Sequence, residues 1–98
     1  SAFLVFAQPD AATMAYALRV AVSLRKNGIA VVTPAVSDSF KSQMRQAGKS
    51  GVKYALIIGE KERQDQCVTI KDLTSGEQTL IPAGNAHQHL QKNNEKNA

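Results

Sequence analysis

Glu60 and Glu62 flank Lys61, precede Arg63, and form the closest carboxylate pair in the chain. Paired carboxylates can share acid–base work, but catalysis also needs a polar constellation around them, and no second one accompanies this pair. His87 and His89 stand two residues apart. On a helix that spacing points them to different faces, so they cannot share a metal ion. Cys67 is the single cysteine. It excludes an intramolecular disulfide and a multi-cysteine metal site, and without an obvious histidine partner it reads as a structural strand residue. The chain has no Gly-x-Gly-x-x-Gly, no Walker loop and no Gly-x-Ser-x-Gly elbow. These residues assign no catalytic centre and no metal site. What remains is charge: Lys41, Arg45 and Lys49 recur at i, i+4 and i+8, a basic stripe along one helical face. Such a stripe suits a phosphate backbone, and equally a solvated helix surface.

The whole composition carries the same two readings. Net charge is +4, but residues 11–58 hold seven basic residues against Asp38 alone, whereas the remainder holds five basic and seven acidic ones. A charge polarised in this way is compatible with a polyanionic partner, and with a solvated surface of fluctuating sign. Ninety-eight residues with a hydrophobic fraction of 43% make one soluble domain with one core. No apolar run approaches the roughly 20 residues that span a bilayer. The opening Ser1-Ala2-Phe3-Leu4-Val5-Phe6-Ala7 lacks the basic region of a secretory signal. These features favour the cytoplasm.

The elements that would position these groups follow from pattern. Residues 2–7 are a continuous apolar run ended by Gln8-Pro9-Asp10, a buried strand and a turn. Asp10 is placed to cap a helix on which Met14, Ala17, Leu18, Ala21 and Val22 recur at helical spacing, ended by Asn27-Gly28. Residues 29–33 form a second strand before Pro34. Ser37 or Ser39 caps a second helix built on Phe40, Met44 and Ala47 and closed by Gly51. Residues 52–58 form the third strand, in which Tyr54 to Ile58 is apolar on both faces, as in a central, covered strand. Cys67 to Lys71 alternates, Thr74-Ser75-Gly76 turns, and residues 78–81 return, giving an antiparallel hairpin. Residues 83–91 can close the domain as a short helix carrying Leu90. The domain then spans residues 1–92, and 93–98 form a disordered tail with nothing to pack. Right-handed crossovers make the first three strands parallel, in order 2-1-3, with the hairpin extending the sheet beyond the third. Ligands of such sheets sit beyond the carboxyl ends of the parallel strands: here residues 8–10, 34–39 and 59–62.

The run Phe40-Lys41-Ser42-Gln43, then Ala47, Gly51 and Tyr54-Ala55-Leu56-Ile57-Ile58-Gly59-Glu60-Lys61-Glu62, resembles the anticodon-binding domain of class IIa aminoacyl-tRNA synthetases. Lys71-Asp72-Leu73-Thr74-Ser75-Gly76-Glu77-Gln78 resembles the hairpin of the histidyl enzymes in particular. Leu24-Arg25 and Gly28-Ile29 extend the match to residues 3–91. Two places depart from the pattern: Val36-Ser37-Asp38-Ser39 and Asp65-Gln66 stand where relatives often carry glycine, the latter at the tip of a hairpin. The resemblance implies a three-layer α/β/α fold, with a mixed five-stranded sheet of three parallel strands plus an antiparallel hairpin and three helices. It implies binding to the anticodon loop of histidine tRNA, with RNA contacts from Glu60, Glu62 and Lys71 joined by the stripe of Lys41, Arg45 and Lys49. Glu62 can accept hydrogen bonds from a guanine edge, and Lys71 matches a basic strand position that contacts the anticodon. A plain strand-surface lysine is the alternative for the latter. The chain alone is expected to be monomeric, without catalysis or cofactor. ATP, magnesium and the homodimer would belong to a parent histidine–tRNA ligase with its own catalytic domain. Related domains also serve a translation-control kinase and a polymerase accessory subunit, so a regulatory or dimerisation role is the competing class. A small nucleotide-binding domain is disfavoured by the missing phosphate loop.

Overall fold

The computed structural model describes residues 2–7, 10–34 and 39–96, with side chains as far as Gln91. Along the chain run β1 (Ala2–Phe6), α1 (Ala11–Lys26), β2 (Val31–Val32), α2 (Phe40–Lys49) and β3 (Tyr54–Ile58). There follow α3 (Glu60–Asp65), β4 (Cys67–Asp72), β5 (Gln78–Pro82) and α4 (Ala86–Lys96), the last entered through a 3-10 turn at Ala83–Asn85. The five strands form one sheet in the order β2-β1-β3-β4-β5. β1 lies parallel to β2 and β3, and β4 runs antiparallel to both β3 and β5. The topology is the expected one, with α3 as an additional helix.

Both faces of the sheet are covered, and the strand sequences show why. Every residue of β1 is buried, as is all of β3 except the half-buried Ile57. Ala2, Leu4, Phe6, Leu56 and Ile58 face α1 and α4, packing with Tyr16, Ala17, Leu24, Ala86 and Leu90. Phe3, Val5 and Ala55 face the other way, against Ala47 and Met44 of α2. Among the described residues no helix is long and apolar enough to cross a membrane.

Local chemistry sets the helix limits. Asp10 caps α1 by accepting from the Thr13 N–H at 2.9 Å and the Thr13 hydroxyl at 2.8 Å. These bonds, the backbone one foremost, hold its carboxyl below the usual range. Gly28 ends the helix with φ 84°, a conformation that costs glycine nothing. Ser39 caps α2 through the Ser42 N–H; Ser37, Gln8 and Pro9 lie outside the described residues. α4 runs on to Lys96, so the segment read as a tail begins in helical conformation.

Helix periodicity alone misplaced part of the core. In α1 the buried residues are Thr13, Tyr16, Ala17, Val20, Ala21 and Leu24, whereas Leu18 and Val22 are 46% and 48% exposed. In α2, Phe40 is 43% exposed and the buried positions are Gln43 and Ala47. Tyr16 ties α1 to the hairpin: its buried hydroxyl donates to the Cys67 carbonyl at 2.7 Å. Burial pushes its pKa up to about 12 from 10.0. A raised folded-state pKa supplies stability that is complete below pH 10 and disappears as pH climbs towards 12. The Tyr16→Phe chain should therefore show a shallower loss of melting temperature over that interval than wild type. Parallel melting curves from pH 9 to 12 check it, and equal slopes contradict the assignment.

Candidate nucleic-acid interface

The basic stripe depends on how α2 is fastened. β2 holds only two residues, Val31–Val32, so neither of them reaches the backbone of Phe6 at the end of β1. The Gln43 side chain does. Its Oε1 accepts from the Phe6 N–H at 2.7 Å, and its Nε2 donates to the Phe6 carbonyl at 3.2 Å. Gln43 is 3% exposed, so these bonds form away from water. With Gln43 and Ala47 turned inward, helical geometry turns Lys41, Arg45 and Lys49 outward, and all three are exposed. The stripe lies on the same side of the sheet as α2, on the helix surface turned away from the strands.

Glu60 and Glu62 belong to α3, which the sequence pattern did not reveal because Glu60–Asp65 contains no apolar residue. The helix is held by its ends. Glu62 Oε1 accepts from the Gly59 N–H at 2.8 Å, the return half of a capping box, and its Oε2 accepts from the Thr69 hydroxyl at 3.1 Å. The half-buried carboxylate thus ties the start of α3 to β4. Glu60 is exposed, accepts from Gln64 Nε2 at 3.2 Å and has Arg63 Nη2 at 4.0 Å. Together with Ala7, Gly59 and Lys61 these two glutamates line a shallow open depression at the carboxyl edge of the sheet. Asp65-Gln66 is not a hairpin tip: Gln66 caps α3 in the left-handed region, φ 55°. A non-glycine residue there is strained by about 1 kcal/mol. Gln66→Gly should raise stability by roughly 0.5–1 kcal/mol less the bond from Gln66 Nε2 to the Arg63 carbonyl. Denaturant unfolding measures it, and a clear loss of stability sinks the cap assignment.

The hairpin run from Lys71 to Gln78 has mostly turn mechanics in it. The Asp72 carboxylate accepts from the N–H groups of Thr74 and Ser75. Gly76 takes φ 80° and donates its N–H to the Asp72 carbonyl, and the Leu73 N–H reaches the Lys53 carbonyl. The Lys71 side chain takes no part in these turn bonds. It is half-buried on β4, opposite Ala55 on one side and Gln78 on the other. Opposed residues share a face, so Phe3, Ala55, Lys71 and Gln78 make one row, and Val5, Ile57, Thr69 and Leu80 the next. This is the face that carries α2. The fold therefore brings Lys71, the α2 stripe and, through Thr69, Glu62 to one side of the sheet. Glu60 stays at the edge.

The fold has counterparts among known proteins. The family model described as "Anticodon binding domain" matches residues 2–93. The chain belongs to that family. The histidine–tRNA ligase of Aquifex aeolicus is 52% identical over 66 residues, which are 67% of this chain and 16% of that protein. The ligase of Methanospirillum hungatei is 45% identical over 75 residues, 76% of this chain and 18% of that protein. Among solved structures, histidyl-tRNA synthetase from Nostoc superposes with a TM-score of 0.82 at 28% identity, over 93% of this chain and 22% of that one. The RNA-binding domain of threonyl-tRNA synthetase from Cryptosporidium parvum shares the fold, with a TM-score of 0.84 at 22% identity, over 94% and 23%. The chain thus spans less than a quarter of the relatives it matches.

Three residues of this candidate site escaped sequence reasoning. Thr69 orients Glu62, Gln43 seats α2, and Gln78 stands beside Lys71. Gln43 did leave a trace: it falls three residues after Phe40 and four before Ala47, an amide on the apolar side of an amphipathic helix. Thr69 and Gln78 left none, because only strand register places them. Among the described residues no group of three or more His, Cys, Asp or Glu side chains is arranged to hold a metal ion. Cys67 is buried, and burial raises its thiol pKa, the opposite of what a nucleophile needs.

Proposed function

We propose that this anticodon-binding domain grips the anticodon loop of a tRNA, histidine tRNA being its cognate, and presents it to the catalytic domain of a histidine–tRNA ligase. The ligase is cytoplasmic and homodimeric in this reading, and its ATP and magnesium bind to the catalytic domain. The observation that carries the proposal is the common side of the sheet on which the exposed α2 cations and Lys71 lie. Lys41, Arg45 and Lys49 hold phosphates, which position RNA without reading it, while Lys71, Glu62 and Glu60 contact the splayed loop bases. A carboxylate beside RNA is unfavourable unless it meets a donor. Glu62 uses one acceptor site of each oxygen for Gly59 and Thr69. Each oxygen keeps another lone pair, held in place for the N–H groups of a guanine edge.

About three phosphate contacts to single-stranded RNA give a log–log salt slope of roughly −2, from about −0.7 per contact. Titrating a labelled histidine-tRNA anticodon stem-loop from 50 to 300 mM salt measures it, in the range set by that counterion argument. Binding that ignores salt contradicts the proposal.

A further inference from the structure

The half of the α2-bearing sheet face that α2 does not cover is itself a surface with a defined chemistry. α2 packs on β1 and β3 through Ala47 and Met44 against Phe3, Val5 and Ala55. Ile57 packs at the margin of that cluster, and beyond it the rows continue through half-buried Thr69 to exposed Leu80 in one, and through half-buried Lys71 to exposed Gln78 in the other. Leu80 is 52% exposed and Gln78 is exposed. An exposed leucine in the middle of an edge strand gains nothing for the fold, and β5 has no charged residue to shield it. From β3 to β5 the patch is two strand spacings wide, about 9–10 Å, enough for one base lying flat.

Charge decides what belongs there. The patch is bordered by the cationic α2, with Lys71 inside it, and Lys71 joins no ion pair among the described residues. Its other polar groups are the Thr69 hydroxyl, which donates its hydrogen bond to Glu62 and can still accept, and the Gln78 carboxamide, which donates and accepts. An occupant must bring a flat apolar face for Leu80, polar edges for Thr69 and Gln78, and negative charge towards α2. A nucleotide of single-stranded RNA supplies all three. We propose that one unpaired base of the bound loop lies on Leu80 of the β4–β5 face, its edge contacted by Gln78, with its phosphate directed towards α2. This rests on the RNA-binding reading above and adds Leu80 and Gln78 to Lys71 as base contacts on the open face of the sheet.

Leu80 supplies the test, since β5 is an exposed edge where side-chain exchange leaves the core alone. The intact chain and its Leu80→Ala and Leu80→Tyr variants are titrated with the anticodon stem-loop at fixed salt. Leu80→Ala should weaken binding about three- to tenfold through lost apolar contact. Leu80→Tyr should tighten it by about fivefold or more, because an aromatic ring stacks on a base where leucine only touches it. In a stem-loop carrying 2-aminopurine at successive loop positions, one position should be quenched more strongly by the tyrosine variant. The salt slope should be the same for all three proteins. If both variants are folded and bind as wild type does, with no position selectively quenched, the base does not lie on this face. The anticodon-loop proposal then survives without it. If wild type binds no stem-loop at any salt, the anticodon-loop proposal falls and takes this one with it. Tighter association of the tyrosine variant with itself, and not with RNA, would mark the patch as a protein contact and overturn the inference.

Discussion

Gln43→Leu should lose about 2–4 kcal/mol of folding stability, although it replaces a polar residue on an apolar helix face with an apolar one of similar size. The reason is the partner left behind. Without the amide, the Phe6 N–H and C=O are buried with nothing in β2 to receive them. Each orphaned backbone group costs roughly 1–3 kcal/mol. The leucine recovers part of that through its own burial, which sets the net figure. Gln43→Glu separates the hydrogen bonds from side-chain volume. Its carboxylate can still accept from Phe6 N–H but opposes the carbonyl, and its protonated form can serve both. The glutamate is then raised in pKa in the folded state. Its stabilising contribution is complete below the unfolded carboxyl pKa and fades as pH rises through the folded one. Urea unfolding of both variants between pH 4 and 8, a window set by that carboxyl titration, checks the claim. A Gln43→Leu chain as stable as wild type rules out the clamp.

Replacing Lys41, Arg45 and Lys49 together with alanine should weaken every anticodon stem-loop alike, by roughly 30- to 100-fold near physiological salt. That is the effect of removing three contacts of about −0.7 in salt slope each. The slope itself should collapse towards zero. Glu62→Gln should do the reverse. The glutamine can still accept from Gly59 N–H and can donate to the Thr69 hydroxyl, so the α3 start is kept while the acceptor facing a base is lost. Discrimination between the cognate loop and a guanine-substituted one should shrink by about 1–3 kcal/mol, with little change in salt slope. Four affinities per protein and a melting curve decide the matter. A folded Glu62→Gln domain with undiminished selectivity removes Glu62 from the reading residues and leaves it as the brace of α3. A triple variant that loses affinity for one loop only removes the stripe from the positioning role.

Local chemistry along the chain determined a great deal about this domain. Continuous apolar runs marked β1 and β3 as covered strands, Asp10, Ser39, Gly28 and Gly51 marked helix ends, and Thr74-Ser75-Gly76 marked the hairpin. Right-handed crossovers then ordered the sheet. Each of these signals is carried by residues a few positions apart, so the sequence contains both halves of the interaction. α3 was illegible for the matching reason: six polar residues have no periodic face, and the group that holds Glu62 at its far oxygen, Thr69, lies beyond the end of the helix.

What only the tertiary structure decided was which side of each element faces inward and what meets across strands. α1 is apolar on two sides, and nothing local distinguishes Leu18 and Val22, which are exposed, from Val20 and Leu24, which are not. The choice is made by the sheet that Tyr16 reaches through Cys67. Gln43 was readable as an amide on the wrong side of a helix, but its meaning depends on neither residue of β2 reaching Phe6. The site has the same origin. Lys71 and Gln78 are seven residues apart in the chain and side by side in the sheet, and α2 reaches their face only because a parallel crossover carried it there. Sequence patterns report residues separated by one turn or one pleat. Register between strands, and the face to which a crossover sends a helix, are set by packing the whole chain around one core.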